Sequence, residues 1–303
     1  MKALHTLFTR DTNDCAGYRT KRELVESMQA SSFLARRHFE SIHLITCDCF
    51  YRGLRDFHRH LDDFYDSIII LSDAQFEEYL WSQWVIDVEW KEHRQFVVPK
   101  LFGIDMFRQI AGDDVFHLDI DVFLIQNPFS VWDGEGFLVQ SMEDFTTHKH
   151  YYESMSKVNS MFGFDLRPAV DGQNLASYNL GVIGMSEDID KWLAMSADLI
   201  QEISNGIDNP DWLYWNHCIE QLAFTDFVRR EGHKVQCLFD YKDELQDGIE
   251  DIESGFKMVH LWGGSKRKPE NVKNIRTMLN KLQDEEHSST VESFREGRDK
   301  KSK

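Results

Sequence analysis

Two carboxylates spaced one residue apart inside an apolar run are the first place where this sequence could do chemistry. Residues 115–125, Val-Phe-His-Leu-Asp-Ile-Asp-Val-Phe-Leu-Ile, read as a strand. Side chains alternate along a strand, so Asp119 and Asp121 are expected to project to the same side of its end. Ionised carboxylates among apolar neighbours are costly unless paired, and a divalent cation is the usual partner for two together. A pair of solvated acids at a strand end is the plainer reading, and this segment alone does not choose between them.

Three other clusters carry comparable chemistry. In residues 256–269, Phe-Lys-Met-Val-His-Leu-Trp-Gly-Gly-Ser-Lys-Arg-Lys-Pro, His260 ends an expected strand and a Gly-rich, cationic loop follows. Gly263 and Gly264 would expose backbone N–H groups, and Lys266, Arg267 and Lys268 would add positive charge, a combination suited to phosphate. In residues 177–184, Asn179 and Gly181 share a strand face, where a small amide beside open backbone suits recognition of hydroxyls. Gly181 and Gly184 could equally allow close packing or a bulge. Glu220 and Gln221 lie in the mostly apolar helical stretch 211–224, where polar groups need partners and no basic partner for Glu220 is evident nearby in sequence.

The elements that must position these residues follow from periodicity. Residues 3–8 and 41–46 read as strands around a helix at 21–37, with a further apolar run at 67–71. Helix-compatible stretches follow at 77–95, rich in Trp, and at 101–110, leading into the turn Gly112-Asp113-Asp114. Beyond Pro128 a mixed region runs to a loop at 171–174. A strand then begins near Tyr178, followed by helices at 188–203, stopped by Asn205-Gly206, and 211–230. A strand at 256–262, a polar helix and a charged tail complete the chain. Strands alternating with helices imply an α/β fold whose mainly parallel central sheet is flanked by helices and binds ligands at the carboxyl ends of its strands.

Composition narrows the partners. The 303 residues include 42% hydrophobic and 13% aromatic residues, enough to bury a sizeable core. A net charge of -18 speaks against nucleic-acid binding, which depends on Lys and Arg neutralising phosphates. The five cysteines, Cys15, Cys47, Cys49, Cys218 and Cys237, lack Cys-x-x-Cys spacing and signal neither a disulfide framework nor a zinc site. No apolar run has the length of a membrane span and the start lacks a cleavage signal, so a cytoplasmic protein is expected. Membrane contact is expected to be at most peripheral, through the basic tail from Arg295 to Lys303.

Taken in order, Leu118-Asp-Ile-Asp-Val122, Tyr178-Asn-Leu-Gly-Val182, Glu220-Gln221 and His260-Leu-Trp-Gly-Gly-Ser-Lys266 resemble the glycosyltransferase-A fold, and most nearly the family 8 glycosyltransferases. The resemblance spans residues 1–270 and rests on those four motifs. It implies one glycosyltransferase-A domain over 1–270, with a nucleotide-binding half at 1–127 and a donor-sugar and acceptor half at 128–270, followed by a C-terminal helix and charged tail at 271–303. By motif, Asp119, Asp121 and His260 would bind Mn2+ or Mg2+, and Lys266 would reach the donor diphosphate. Asn179 and Glu220 would face the donor sugar, with Gln221 lining its opposite side as the second candidate catalytic residue. Thr9 would belong to the nucleoside pocket, Lys100 matches a basic position ahead of the Asp-x-Asp strand, and Ile120, Gly181 and Gly263 complete the nucleotide-sugar-binding set. The implied partners are a nucleotide-diphosphate sugar, UDP-linked, and a glycan or other hydroxyl acceptor.

The sequence departs from the family pattern in having Glu rather than Asp before Gln221, and Lys266-Arg267-Lys268-Pro269 where Lys and Pro are normally adjacent. Other classes fit less well. A nucleotidyltransferase would carry a Gly-rich, basic loop after the first strand, and residues 8–14 have none. An aspartyl-nucleophile phosphatase would place its motif near the start with Thr or Val where Phe123 stands. A non-catalytic nucleotide-sugar-binding protein would keep the same motifs. Residues 144–172, with His148, His150, Tyr151, Tyr152 and Arg167, read as a lid or acceptor wall.

Overall fold

The computed structural model describes residues 1–8, 12–13, 15–72, 74–75, 78, 97–112, 115–186, 189–206, 219–238, 258–261 and 266–299. The Trp-rich helix expected at 77–95 lies almost wholly outside these residues, as do Thr9, Cys218, Gly263, Gly264, most of the expected start of the 211–230 helix and the end of the basic tail.

In chain order the elements are β1 (Lys2–Leu7), α1 (Lys21–Ala35), β2 (Ser41–Cys47), α2 (Asp48–Gly53), α3 (His58–Phe64), β3 (Ser67–Leu71), α4 (Val97–Ala111), β4 (Val115–Leu118) and β5 (Val122–Leu124). Then follow β6 (Phe137–Asp144), α5 (Lys149–Phe162), β7 (Ala169–Asp171), β8 (Asn174–Met185), α6 (Asp190–Gly206), α7 (Ile219–Glu231), β9 (Val235–Cys237), β10 (Met258–His260) and α8 (Pro269–Asp299). The mixed region after Pro128 thus contains β6, α5 and β7.

The main sheet has the order β3-β2-β1-β4-β8-β6-β9, with β7 paired to β8. The pairs β1/β2, β1/β4, β2/β3 and β6/β9 are parallel, whereas β8 is antiparallel to β4, β6 and β7. Every strand of this sheet except β8 therefore runs in one sense, and helices flank it. Central strands covered on both faces read as unbroken apolar runs, and Leu4, Leu44, Phe116, Leu118, Val182 and Ile183 are all fully buried.

The expected strand 115–125 is in fact two strands. Asp119 N–H donates to the Gly181 carbonyl at 2.9 Å, and Val122 N–H donates to the Asp119 carbonyl at 3.0 Å. Residues 119–121 therefore form a turn, and β5 leaves the main sheet to pair antiparallel with β10, Val122 opposite His260. Asp119 and Asp121 converge because the chain turns at them, not because side chains alternate along a continuous strand.

α8 holds this small ribbon in place. Its buried residues Ile275, Met278, Leu279 and Leu282 recur at helical spacing and pack with Ala30 and Leu34 of α1, Phe123 of β5 and Leu261. Each such side chain contributes about 1.5–3 kcal/mol when fully buried. Beneath β5, the Ser31 hydroxyl donates to the Val122 carbonyl at 2.6 Å and sits 3.2 Å from His5 Nε2, while His5 Nδ1 meets the Tyr65 hydroxyl at 2.7 Å. Burial pushes His5 down to about 3, against the opposing pull of Asp121, so it stays neutral and serves this brace. Among the described residues no helix is long and apolar enough to cross a membrane.

Candidate functional site

The β4/β5 turn and the end of β10 bring the first and fourth sequence motifs together. One ligand atom each from Asp119, Asp121 and His260 lies within 4.8 Å of the others. The Leu261 N–H donates to the Asp121 carbonyl at 3.0 Å, which ties the two motifs through the backbone as well. Ile120, between the acids, is buried.

Asp121 is buried, its side chain 7% exposed, and Lys266 Nζ is 2.5 Å from one carboxylate oxygen, with His260 Nε2 at 3.6 Å from the other. Burial by itself would push this carboxyl up. The Lys266 charge and His260 outweigh it and hold the group well below the usual carboxylate range. Lys266 is in turn placed by the segment before α1. Its Nζ lies 5.6 Å from the centre of the Tyr18 ring, Arg267 Nε donates to the Gly17 carbonyl at 2.8 Å, and the Arg19 guanidinium donates to the Arg267 carbonyl.

Asp119 has a different cation. Lys100 Nζ from α4 lies 3.0 Å from Asp119 Oδ1 and 3.5 Å from Glu220 Oε1, and donates to the Leu180 carbonyl at 2.7 Å. Burial opposes the Lys100 charge, but Asp119 and Glu220 more than offset it, so the ammonium stays protonated. The absence of a basic partner expected for Glu220 is therefore corrected: Lys100 is that partner, 120 residues away in sequence. Burial first, then the charge of Asp119, push Glu220 up to about 7 against the pull of Lys100. Its Oε2 has no hydrogen-bond partner among the described residues. His117 Nδ1 approaches Asp119 at 3.9 Å, but burial holds His117 well below its ordinary value, so this contact is not an ion pair.

A cavity of about 320 Å3 opens beside the acids, lined by Asp119, Glu143, Asn179, Gln221, His260 and the α5 end residues His148, His150 and Tyr151. Gln221 reaches this cavity, whereas Glu220 is not among its lining residues. Asn179 uses both ends of its amide: Nδ2 donates to Glu143 Oε1 at 2.6 Å, and Oδ1 accepts from the Gly181 N–H at 2.9 Å. His150 and Tyr151 are in contact, their rings tilted by 37° with centres 4.3 Å apart, and burial lowers His150, with His148 adding to the effect.

Gly181 fits the close-packing reading of the sequence, here at the site itself. A Cβ there would stand 2.3 Å from Gln140 Oε1 and 2.9 Å from His260 Nδ1. The missing side chain makes room for two of the protein's own groups. Gly184 fits the packing reading, since a Cβ there would meet Trp132 at 2.7 Å. Gln140 and Glu143, both on β6, were not singled out from sequence. The available signal was a lone amide in the apolar run Phe-Leu-Val-Gln, which needs a partner when buried. Of the remaining expected site residues, Thr9 and Gly263 fall outside the described residues.

Fold and site together define an α/β protein in which the turn after β4 and the end of β10 bring two carboxylates and an imidazole together beside a cavity. The profile of a family of unknown function (DUF6734) matches residues 1–293, and the chain belongs to that family. Among curated proteins, none matches the sequence. Among solved structures, the apo form of mouse xyloside xylosyltransferase 1 is similar at 14% identity, covering 86% of this chain and 97% of that one, with a TM-score of 0.48. The galactosyltransferase LgtC, in complex with donor and acceptor sugar analogues, is similar at 13% identity over 93% of this chain and 96% of that one, with a TM-score of 0.47. The inositol-1-phosphate CTP transferase from T. maritima is similar at 10% identity over 91% of this chain and 95% of that one, with a TM-score of 0.43.

Proposed function

We propose that this protein is a metal-dependent glycosyltransferase of the glycosyltransferase-A, family 8 type, moving a sugar from a UDP-linked donor to a hydroxyl of a glycan. The observation that carries this reading is the convergence of Asp119, Asp121 and His260 to within 4.8 Å, from motifs about 140 residues apart, at the edge of a cavity. Two carboxylates and an imidazole suit a borderline ion, so Mn2+ is the preferred occupant, with Mg2+ second. When bound there, the ion would neutralise the diphosphate of the donor.

The chain's own residues divide the remaining work. Lys266 is placed to exchange its contact with Asp121 for the leaving diphosphate, stabilising charge as it develops. Asn179 and Gln221 face the cavity and would orient the donor sugar, while His148, His150 and Tyr151 would form the acceptor wall. Glu220, held behind Lys100, would act on the sugar site only through that lysine and Asp119. A cytoplasmic location fits the same reading, with any membrane contact left to the basic tail.

The test is a screen of UDP- and GDP-sugars for release of nucleoside diphosphate in the presence of Mn2+. Turnover with at least one UDP-sugar supports the proposal. Nucleotide binding without transfer or donor hydrolysis across the panel would reduce the protein to a binding module.

A further inference from the structure

His260 can serve as a metal ligand only if the nitrogen nearer the carboxylates carries a lone pair. Its Nε2 is the one that faces Asp121, at 3.6 Å, and its Nδ1 lies 2.9 Å from Gln140 Oε1. An amide oxygen can only accept, so Nδ1 is the donor in this arrangement, and Nε2 is the nitrogen left facing the carboxylates.

Three features surround this contact. Gln140 is completely buried, and its amide nitrogen has no hydrogen-bond partner among the described residues. For stability alone an apolar side chain would serve better, because an unpaired buried donor costs about 1–3 kcal/mol. The register of β6 against β8 slips between Val139 and Ser141, so Gln140 sits at the irregularity where the ladder is interrupted. Opposite it, Gly181 lacks the Cβ that would collide with both Gln140 and His260. A strand irregularity, a glycine and an energetically costly amide all meet at one imidazole nitrogen.

We propose that Gln140 is a positioning residue for the metal site: it accepts the Nδ1 proton of His260 and so fixes the tautomer and ring orientation that present Nε2 beside Asp119 and Asp121. The proposal rests on the metal-site reading above. Hydrogen-bonding partners behind a ligating histidine are worth about 10–100-fold in metal affinity, which sets the expected effect.

Two measurements test it separately. In metal-free protein, long-range 1H–15N correlation of labelled histidines reads the tautomer directly. Wild type should show His260 protonated at Nδ1, and Gln140→Met, which keeps an unbranched chain but accepts only weakly, should lose that preference. Gln140→Glu keeps an acceptor oxygen and should restore it. Mn2+ titration followed by electron paramagnetic resonance should then show Gln140→Met binding about 10–100-fold more weakly than wild type, with Gln140→Glu close to wild type and melting temperatures reported alongside. A wild-type His260 without a proton on Nδ1 would overturn the proposal, as would Gln140→Met binding Mn2+ like wild type where His260→Ala does not. If wild type bound no Mn2+ at all, the metal reading would fall, and Gln140's role as a metal-site positioning residue with it; the tautomer signal would still show whether Gln140 orients His260.

Discussion

Asp119 and Asp121 stand two residues apart, yet each faces a cation of a different kind. On the inner side, Lys100 is part of α4, largely but not fully buried, and shared among the oxygens of Asp119, Glu220 and Leu180. On the outer side, Lys266 comes from the segment before α8, pairs with Asp121, and is placed by contacts with residues 17–19. The first cation is surrounded by three protein acceptors, the buried Glu220 carboxyl among them, that would lose a shared partner without it. The second could trade its carboxylate for a phosphate without orphaning any other group. The contrast separates a fixed internal charge from one available to a ligand, and substitutions on the two sides should therefore fail in different ways.

The largest effect is expected at the point both sides share. Asp121→Ala removes a candidate metal ligand together with the partner of Lys266, and transfer should fall by about a thousandfold or more. Steady-state rates at saturating Mn2+ would show it, and a rate within tenfold of wild type would remove Asp121 from the ligand set.

Next comes the inner cation. Lys100→Met leaves Asp119 and Glu220 facing each other without compensation, and the unfolding free energy in urea should drop by about 3 kcal/mol, at the lower end for breaking a buried pair because Glu220 can take up a proton. Adding Glu220→Gln to Lys100→Met should recover part of that loss. A double variant less stable than the single one would break the account of this side.

On the outer side the order reverses: with Mn2+ bound beside Asp121 to replace its lost partner, Lys266→Ala should lower the melting temperature less than Lys100→Met does while lowering kcat by about a hundredfold, the scale of losing one charge-stabilising donor. Lys268→Ala, two residues on and exposed, should change neither. A crippled Lys268→Ala beside an active Lys266→Ala would show that the wrong lysine has been assigned to the diphosphate.

The smallest effect is a pH dependence. Glu220 is pushed from 4.5 up to about 7 in the folded protein. Its raised value means that the folded state holds this proton more tightly than the unfolded chain, so its stabilising contribution is complete below pH 4.5 and is lost as pH rises towards 7. Glu220→Gln does not titrate, and its stability relative to wild type should therefore rise by about 2 kcal/mol between pH 5 and pH 7. Urea titrations in chelator at the two pH values measure this, and a pH-independent difference would mean that Glu220 is ionised throughout.

The motif residues were legible in the sequence because each is a polar group in an apolar run, and Asp119, Asn179, Gln221 and His260 do meet around one cavity, with Asp121 close to two of them. Their geometry was less so. Alternation suggested a single strand through the acids, but the hydrogen bond from Asp119 to Gly181 that ends β4 is made to a residue about sixty positions away, which local periodicity does not register. Lys100 was legible as a basic position and not as the partner of Glu220, for the same reason. β6 escaped notice because most of its length is buried on both faces, which erases the period-two pattern, and Gln140 escaped with it. The outer strands β2 and β3 and helix α1 could be read directly, since each carries its own periodicity or turn signals. Thr20 caps α1 by accepting the Glu23 N–H, a local interaction that needs no distant partner.

The central claim is that Asp119, Asp121 and His260 hold a divalent ion on which sugar transfer depends. Its most direct measurement is the rate of UDP release from an active UDP-sugar after exhaustive chelation, followed by titration with Mn2+, in wild type and Asp121→Ala at equal folded concentration. The account predicts no turnover in chelator, saturable recovery in wild type, and no recovery in Asp121→Ala at the same Mn2+ concentrations. Full wild-type turnover in excess chelator, or equal recovery in Asp121→Ala, would contradict it.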